Sequence, residues 1–173
     1  MRRATAADAS GILACLHAAF GPFREEYTEA AYRDTVLTPE SLPARMSAMT
    51  LFVAVVEDGT VIGTVGAAPA ESGEGHLRGM AVVPGWQGRG VAESLLLAAL
   101  TELRARGCTR VSLDTTAPLV RAIRFYEAHG FRPTGRVRDF HGMPLYEYVR
   151  PLDATSEAPA RSPAGAPEGR RPS

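Results

Sequence analysis

Residues 80–92 read Met80-Ala81-Val82-Val83-Pro84-Gly85-Trp86-Gln87-Gly88-Arg89-Gly90-Val91-Ala92. An apolar run stops at a proline, a glycine-rich turn follows, and a helical pattern begins. The first N–H groups of a helix have no partner inside the helix, and the helix dipole makes that end positive. Glycines let main-chain donors approach an anion with no side chain between. Arg89 adds a mobile charge at the rim. The expected guest is an anion of pyrophosphate size. Two phosphate loops are excluded. Gly85 and Gly90 have the glycine spacing of a Walker loop, but Val91-Ala92 stand where Lys-Ser/Thr must be, and the chain has no lysine. Gly88-Arg89-Gly90 opens a dinucleotide fingerprint, but Glu93 closes it and would set an anion against the pyrophosphate. The pattern left standing is Gln87-x-x-Gly90-x-Ala92.

The surrounding elements must hold that turn in place. Thr5-Ala6-Ala7-Asp8 reads as a capping box, and the helix after it runs to about Phe20, with Ile12, Leu16 and Phe20 on one stripe. Pro22, Pro39 and Pro43 punctuate one or two short helices over residues 21–50. Residues 51–56 and 61–65 form a hairpin about Asp58-Gly59. A loop is expected at 69–75, a strand at 76–83, and a helix from about Gly88 to Arg106 that Gly107 ends. That helix has an apolar face at Val91, Leu95, Ala99 and Leu103. A strand at 110–115, a helix at 119–129 and strands near 131–139 and 144–150 complete the order β-α-(α)-β-β-β-α-β-α-β-β. Hairpins mixed with crossover helices predict an α/β fold on a mixed sheet.

Composition narrows the function classes. The 173 residues are 45 % hydrophobic, enough for a core, and fit one domain. Nineteen basic residues, all arginine, balance nineteen acidic ones, so neither a nucleic-acid nor a membrane surface is expected. Cys15 and Cys108 show no metal spacing and are expected as reduced, buried thiols; no metal site is expected. The opening Met1-Arg2-Arg3-Ala4-Thr5 lacks the apolar core of a secretion signal, and a cytoplasmic setting is expected. Residues 153–173 hold four Pro and five Ala with no aromatic, Leu, Ile, Val or Met. They are expected to form a disordered tail after a domain at 1–152.

The pattern Gln87-x-x-Gly90-x-Ala92 resembles the coenzyme A signature of the GNAT superfamily of N-acetyltransferases, Arg/Gln-x-x-Gly-x-Gly/Ala. Ala122-Ile123-Arg124-Phe125-Tyr126-Glu127-Ala128-His129-Gly130-Phe131 looks like its second signature, Ala-x-x-x-Tyr-x-x-x-Gly-Phe. The likeness spans about residues 1–150. It implies six or seven mostly antiparallel strands flanked by helices, with a splayed strand pair that holds acetyl-CoA. It further implies that main-chain groups of Val82 and Val83 bond the pantetheine arm, and that Gln87, Gly88, Arg89, Gly90, Val91 and Ala92 form the pyrophosphate turn. The family often has Asn three residues before the signature alanine; Leu119 is there instead, which removes one contact to the arm.

Tyr126 matches the tyrosine that serves many members as general acid, protonating the departing thiolate; the alternative is a core tyrosine. His76 falls where many relatives place a general base, and its imidazole titrates near neutrality; the alternative is a strand-end histidine with no role. Glu71, Glu74 and Asp114 are further acids near the site. The implied activity is acetyl transfer to a primary amine of a small molecule, by a monomer or homodimer. Protein or peptide acetylation and a non-catalytic acyl-CoA-binding module are the alternatives. The acceptor pocket is implied at residues 20–35 and 136–146. Phe23, Glu25, Glu26, Tyr27 and Tyr32 suit a cation there, whereas Arg136, Arg138 and His141 suit an acid, so no acceptor is named.

Overall fold

A computed structural model describes residues 1–152 of the chain; the expected tail at 153–173 lies outside the described residues. Seven strands form one sheet in the order β1-β2-β3-β4-β5-β7-β6. They are β1 (Arg2–Arg3), β2 (Thr50–Val55), β3 (Val61–Pro69), β4 (Glu74–Val82), β5 (Arg110–Thr115), β6 (Arg132–Phe140) and β7 (Met143–Pro151). Helices α1 (Ala9–Phe20), α2 (Glu29–Thr35), α3 (Leu42–Ala48), α4 (Val91–Ala105) and α5 (Val120–Ala128) flank it. All neighbouring strands run antiparallel except β4 and β5, which are parallel.

The apolar stripes named above decide the two layers. Ile12, Leu16 and Phe20 of α1 are buried on one face of the sheet with Leu42, Val53 and Ala81. Leu95, Ala99 and Leu103 of α4 are buried on the other face with Val65, Leu77, Tyr126 and Phe131. Helix α4 lies close against β3 because Gly63 has no side chain: a Cβ there would stand 2.9 Å from Leu95 Cδ1. Thr5 caps the entry to α1 as expected, its N–H donating to the Asp8 carboxylate at 2.8 Å, but a short 3-10 turn at Ala6–Asp8 precedes the α-helix. Both cysteines are buried and unpaired.

The ends of β3 and β4 and the start of α4 differ from expectation, and β4 carries a bulge that shapes the site. Strand β3 extends to Pro69 and β4 starts at Glu74, so the loop at 69–75 shrinks to a tight turn. Helix α4 begins at Val91 rather than Gly88, because Gly88 and Gly90 have φ of +75° and +77° and cannot be its first turn. Strand β4 is bulged: Thr64 faces Ala81 but Gly66 faces Arg78, so Gly79 and Met80 together oppose Val65. Gly79 takes φ +66°, the left-handed conformation that such a bulge uses. The extra residue bends β4 and exchanges the faces of the side chains beyond it. Pairing of β4 with β5 runs only from Glu74↔Arg110 to Leu77↔Leu113. Beyond that point β5 stays with β7 and β4 stays with β3, and the two strands separate.

Candidate active site

The opening between β4 and β5 is the centre of two connected spaces. On the α4–α5 side lies a cleft of about 400 Å³, whose walls include Val82, Gln87, Gly88, Gly90, Ala92 and Tyr126. Toward α2, α3 and β6 lies a cavity of about 340 Å³ whose lining includes several charged groups. Phe20, Met80, Leu119, Ala122 and Tyr126 border both spaces. Tyr126 therefore stands in the wall common to both spaces.

The turn before α4 presents main-chain donors to an open space. Pro84–Trp86 make one 3-10 turn, and Trp86 N–H donates to the Val83 carbonyl at 2.8 Å. The first helical bond of α4 runs from Ser94 N–H to the Gly90 carbonyl, leaving the N–H groups of Val91, Ala92 and Glu93 without partners in the helix. A Cβ built on Gly90 meets no atom within 4 Å, so the space beside this main chain is open. The Gln87 side chain braces the turn: its Nε2 donates to the Val82 carbonyl at 3.1 Å, and its Oε1 accepts from Arg121 at 3.0 Å. Arg89 sits over the Trp86 ring, 5.2 Å from its centre, and Val91 packs into the core. Val83 is engaged inside the chain, its N–H donating to the Ile62 carbonyl at 2.9 Å. Residues 87–92 thus form one turn, Val82 borders its cleft, and Val83 lies behind it. Arg121 and His129, from α5, also border the cleft and carried no motif.

Tyr126 is 7 % exposed and packs edge-on against Phe131. Among the described residues nothing hydrogen-bonds its hydroxyl. Burial pushes its pKa up, so the phenol keeps its proton through the neutral range. Thr115 Oγ1, in the cavity wall, is buried and also without a partner among the described residues.

His76 projects from β4 into the cavity. Its Nδ1 lies 3.1 Å from Ser112 Oγ, and that hydroxyl lies 2.7 Å from Glu74 Oε1. Arg110 holds the other Glu74 oxygen at 2.6 Å. An ionised carboxylate can only accept, so the Ser112 proton goes to Glu74. Ser112 Oγ must then accept from Nδ1–H, and the neutral imidazole presents a bare Nε2 lone pair. Nε2 lies 3.8 Å from Asp114 Oδ2, and Arg138 binds both Asp114 oxygens at 2.7 and 2.6 Å. Burial lowers the His76 pKa from its ordinary value, with Asp114 opposing that shift. Burial thus favours the neutral imidazole, which can accept a proton at Nε2. Glu71 does not border the cavity.

The segments at 20–35 and 136–146 both reach the cavity. Tyr27 lines it and exchanges a 2.6 Å hydrogen bond with Thr116 Oγ1, whereas Glu25 and Glu26 face solvent. Arg78 pairs with Asp34, and Arg45 lies beside them. Arg78 could have been read in advance, since it is two residues from His76 on a strand and shares its face. Asp34 and Arg45 come from short helices with no motif, and only packing reveals them. His129 caps α5, its Nδ1 2.7 Å from the Phe125 carbonyl. Among the described residues no group of His, Cys, Asp and Glu could hold a metal ion, and no helix is long and apolar enough to cross a membrane.

Residues 12–131 match the sequence model of the acetyltransferase (GNAT) family. The chain is 41 % identical over 71 residues to aminoglycoside N(6')-acetyltransferase type 1 of Stenotrophomonas maltophilia, which covers 41 % of this chain and 46 % of that one. It is 36 % identical over 87 residues to mycothiol acetyltransferase of Beutenbergia cavernae, covering 50 % of this chain and 29 % of the relative. The matched region spans less than half the length of these curated relatives. The fold is similar to that of the PaiA N-acetyltransferase of Thermoplasma acidophilum in complex with coenzyme A. The TM-score is 0.70 at 16 % identity, over 87 % of this chain and 96 % of that one.

Proposed function

Because the chain belongs to the acetyltransferase (GNAT) family, we propose that it is an acetyl-CoA-dependent N-acetyltransferase acting on a primary amine of a small molecule. The observation that carries this reading is the position of Tyr126, in the wall common to a phosphate-ready cleft and a polar cavity. The pyrophosphate is assigned to the main chain of Gln87 to Ala92, and the pantetheine arm to the gap beyond Leu77 and Leu113. Open space at Gly90 and free helix-end donors support that assignment. Acetyl-CoA supplies an activated thioester carbonyl.

The residues around the opening handle the protons. An ammonium cannot attack, so the acceptor must reach the neutral amine. His76 Nε2, bare in the tautomer that Ser112 and Glu74 select, accepts that proton directly or through one water. As the amine nitrogen bonds to the carbonyl carbon, the carbon–sulfur bond breaks; the Tyr126 hydroxyl protonates the departing sulfur, and the second proton that the nitrogen sheds on becoming an amide returns to the phenol oxygen. The cavity volume of about 340 Å³ supports a small acceptor over a protein segment. The test is release of free thiol from acetyl-CoA with a panel of small amines and with peptides. Turnover of a small amine is expected; turnover of peptides alone would overturn the small-molecule reading. Coenzyme binding with no turnover on either would leave a binding module instead.

A further inference from the structure

The charges around the acceptor cavity do not cancel locally. On the β5–β6 wall, Arg138 and Asp114 neutralise each other, one Arg138 nitrogen donating to both Asp114 oxygens. On the wall made by α2, α3 and β4, two guanidiniums, Arg45 and Arg78, face one carboxylate, Asp34. Asp34 is hydrogen-bonded to Arg78. Arg45 is partly buried, and among the described residues it has neither a hydrogen bond nor an ion pair. Its Nη1 lies 3.7 Å from the Cβ position of Gly79, at the bulge where β4 leaves β5. Arg45, with its hydrogen bonds unmade, is therefore beside the bulge that opens β4 from β5. The carboxylate left over, Asp139, sits on the opposite rim and is exposed.

Asp34, already held by Arg78, attracts Arg45 without bonding it, and a partly buried guanidinium that makes no hydrogen bond is costly unless a ligand completes its donors. Its planar fork matches the oxygens of a carboxylate or a phosphate. We propose that the acceptor is an amine that also carries an oxyanion, and that Arg45 is the residue that selects it. The oxyanion docks on the α3 wall, and the amine end turns toward His76 and Asp114. This rests on the acetyl-transfer reading for its chemistry but not for its recognition. It sets the chain apart from catalysts of polycationic amines, which would place a positive charge against Arg45.

The test uses the full chain with coenzyme and a panel of matched pairs. Glycine, β-alanine and glutamate each stand beside the carboxamide, and phosphoethanolamine stands beside ethanolamine. Initial rates and calorimetric affinities are measured for wild type, Arg45→Gln, Arg45→Met and Arg45→Lys, with thermal midpoints to establish folding. At least one oxyanion-bearing member is expected to exceed its neutral partner by on the order of tenfold in kcat/KM, chiefly through KM. Arg45→Gln and Arg45→Met should bring that ratio near one, and Arg45→Lys should retain part of it. The carboxylate and phosphate arms tell which oxyanion is read. Equal handling of every pair, a preference for the neutral members, or a preference that survives Arg45→Gln overturns the proposal. Arg45-dependent discrimination in binding with no transfer to any amine would refute acetyl transfer and leave the oxyanion site standing.

Discussion

A phenol buried as deeply as Tyr126, with its pKa pushed up, keeps its proton through the neutral range and so has an O–H to offer the departing sulfur. Tyr126→Phe keeps the ring packed against Phe131 and removes only the hydroxyl. Turnover should fall by about 10²-fold while coenzyme affinity holds, seen by comparing steady-state rates with calorimetry. His76 works in the opposite sense. Its folded-state pKa lies below the ordinary value, so the imidazole is neutral above pH ~6.5 and gains a proton only as pH falls further. The rate should therefore fall on the acid side below that value. The limb should vanish in His76→Gln and shift in Ser112→Ala, which frees the tautomer. The same depressed pKa makes His76 a source of stability above pH ~6.5 that is lost as pH drops through the folded value. Thr115 has no such role. Thr115→Val replaces an unpartnered buried hydroxyl by a methyl of the same shape, and unfolding should cost about 1 kcal/mol more, read from denaturant midpoints.

At the scale of elements, the turn between β4 and α4 and the bulge in β4 do separate jobs. The turn presents donors, and its left-handed Gly90 places them at the helix end. Gly90→Ala meets no neighbour, so its cost is conformational, about 1 kcal/mol. The added methyl projects into the open space beside the donors, and coenzyme affinity should fall further than stability does. Calorimetry beside thermal unfolding separates the two effects. The bulge opens the gap between β4 and β5. The strands, the helices and the glycine-rich turn were legible because period-two and period-3.6 patterns and Gly/Pro punctuation are local. The bulge was not, because residues 76–83 read as one continuous strand and the extra residue shows only against the register of β3.

For the whole molecule, the short β4–β5 ladder has a thermodynamic consequence. The sheet halves β1–β4 and β5–β7 meet only over Glu74–Leu77 and Arg110–Leu113. A ligand lying along the gap would supply the missing bonds between them. Coenzyme A at a hundredfold excess over its Kd should add about 2.7 kcal/mol to unfolding. The gain in amide-exchange protection should concentrate at residues 78–82 and 114–116, with β1 and β2 little changed. Uniform protection would show instead that the halves are already rigidly joined.

The sequence alone determined the α/β class, the order of elements and the glycine-rich turn before α4, since each depends on neighbours along the chain. It also placed Tyr126 and His76 as candidates through residue type and spacing. Only the tertiary structure decided what those residues face. Ser112 and Glu74 orient His76 across two parallel strands, Arg138 holds Asp114 from beyond an intervening strand, and Arg45 reaches the cavity from α3. The reason is geometric. A charge acts over a few ångströms of space, and the positions 45, 76, 114 and 138 become neighbours only when the sheet twists and β4 bends away from β5.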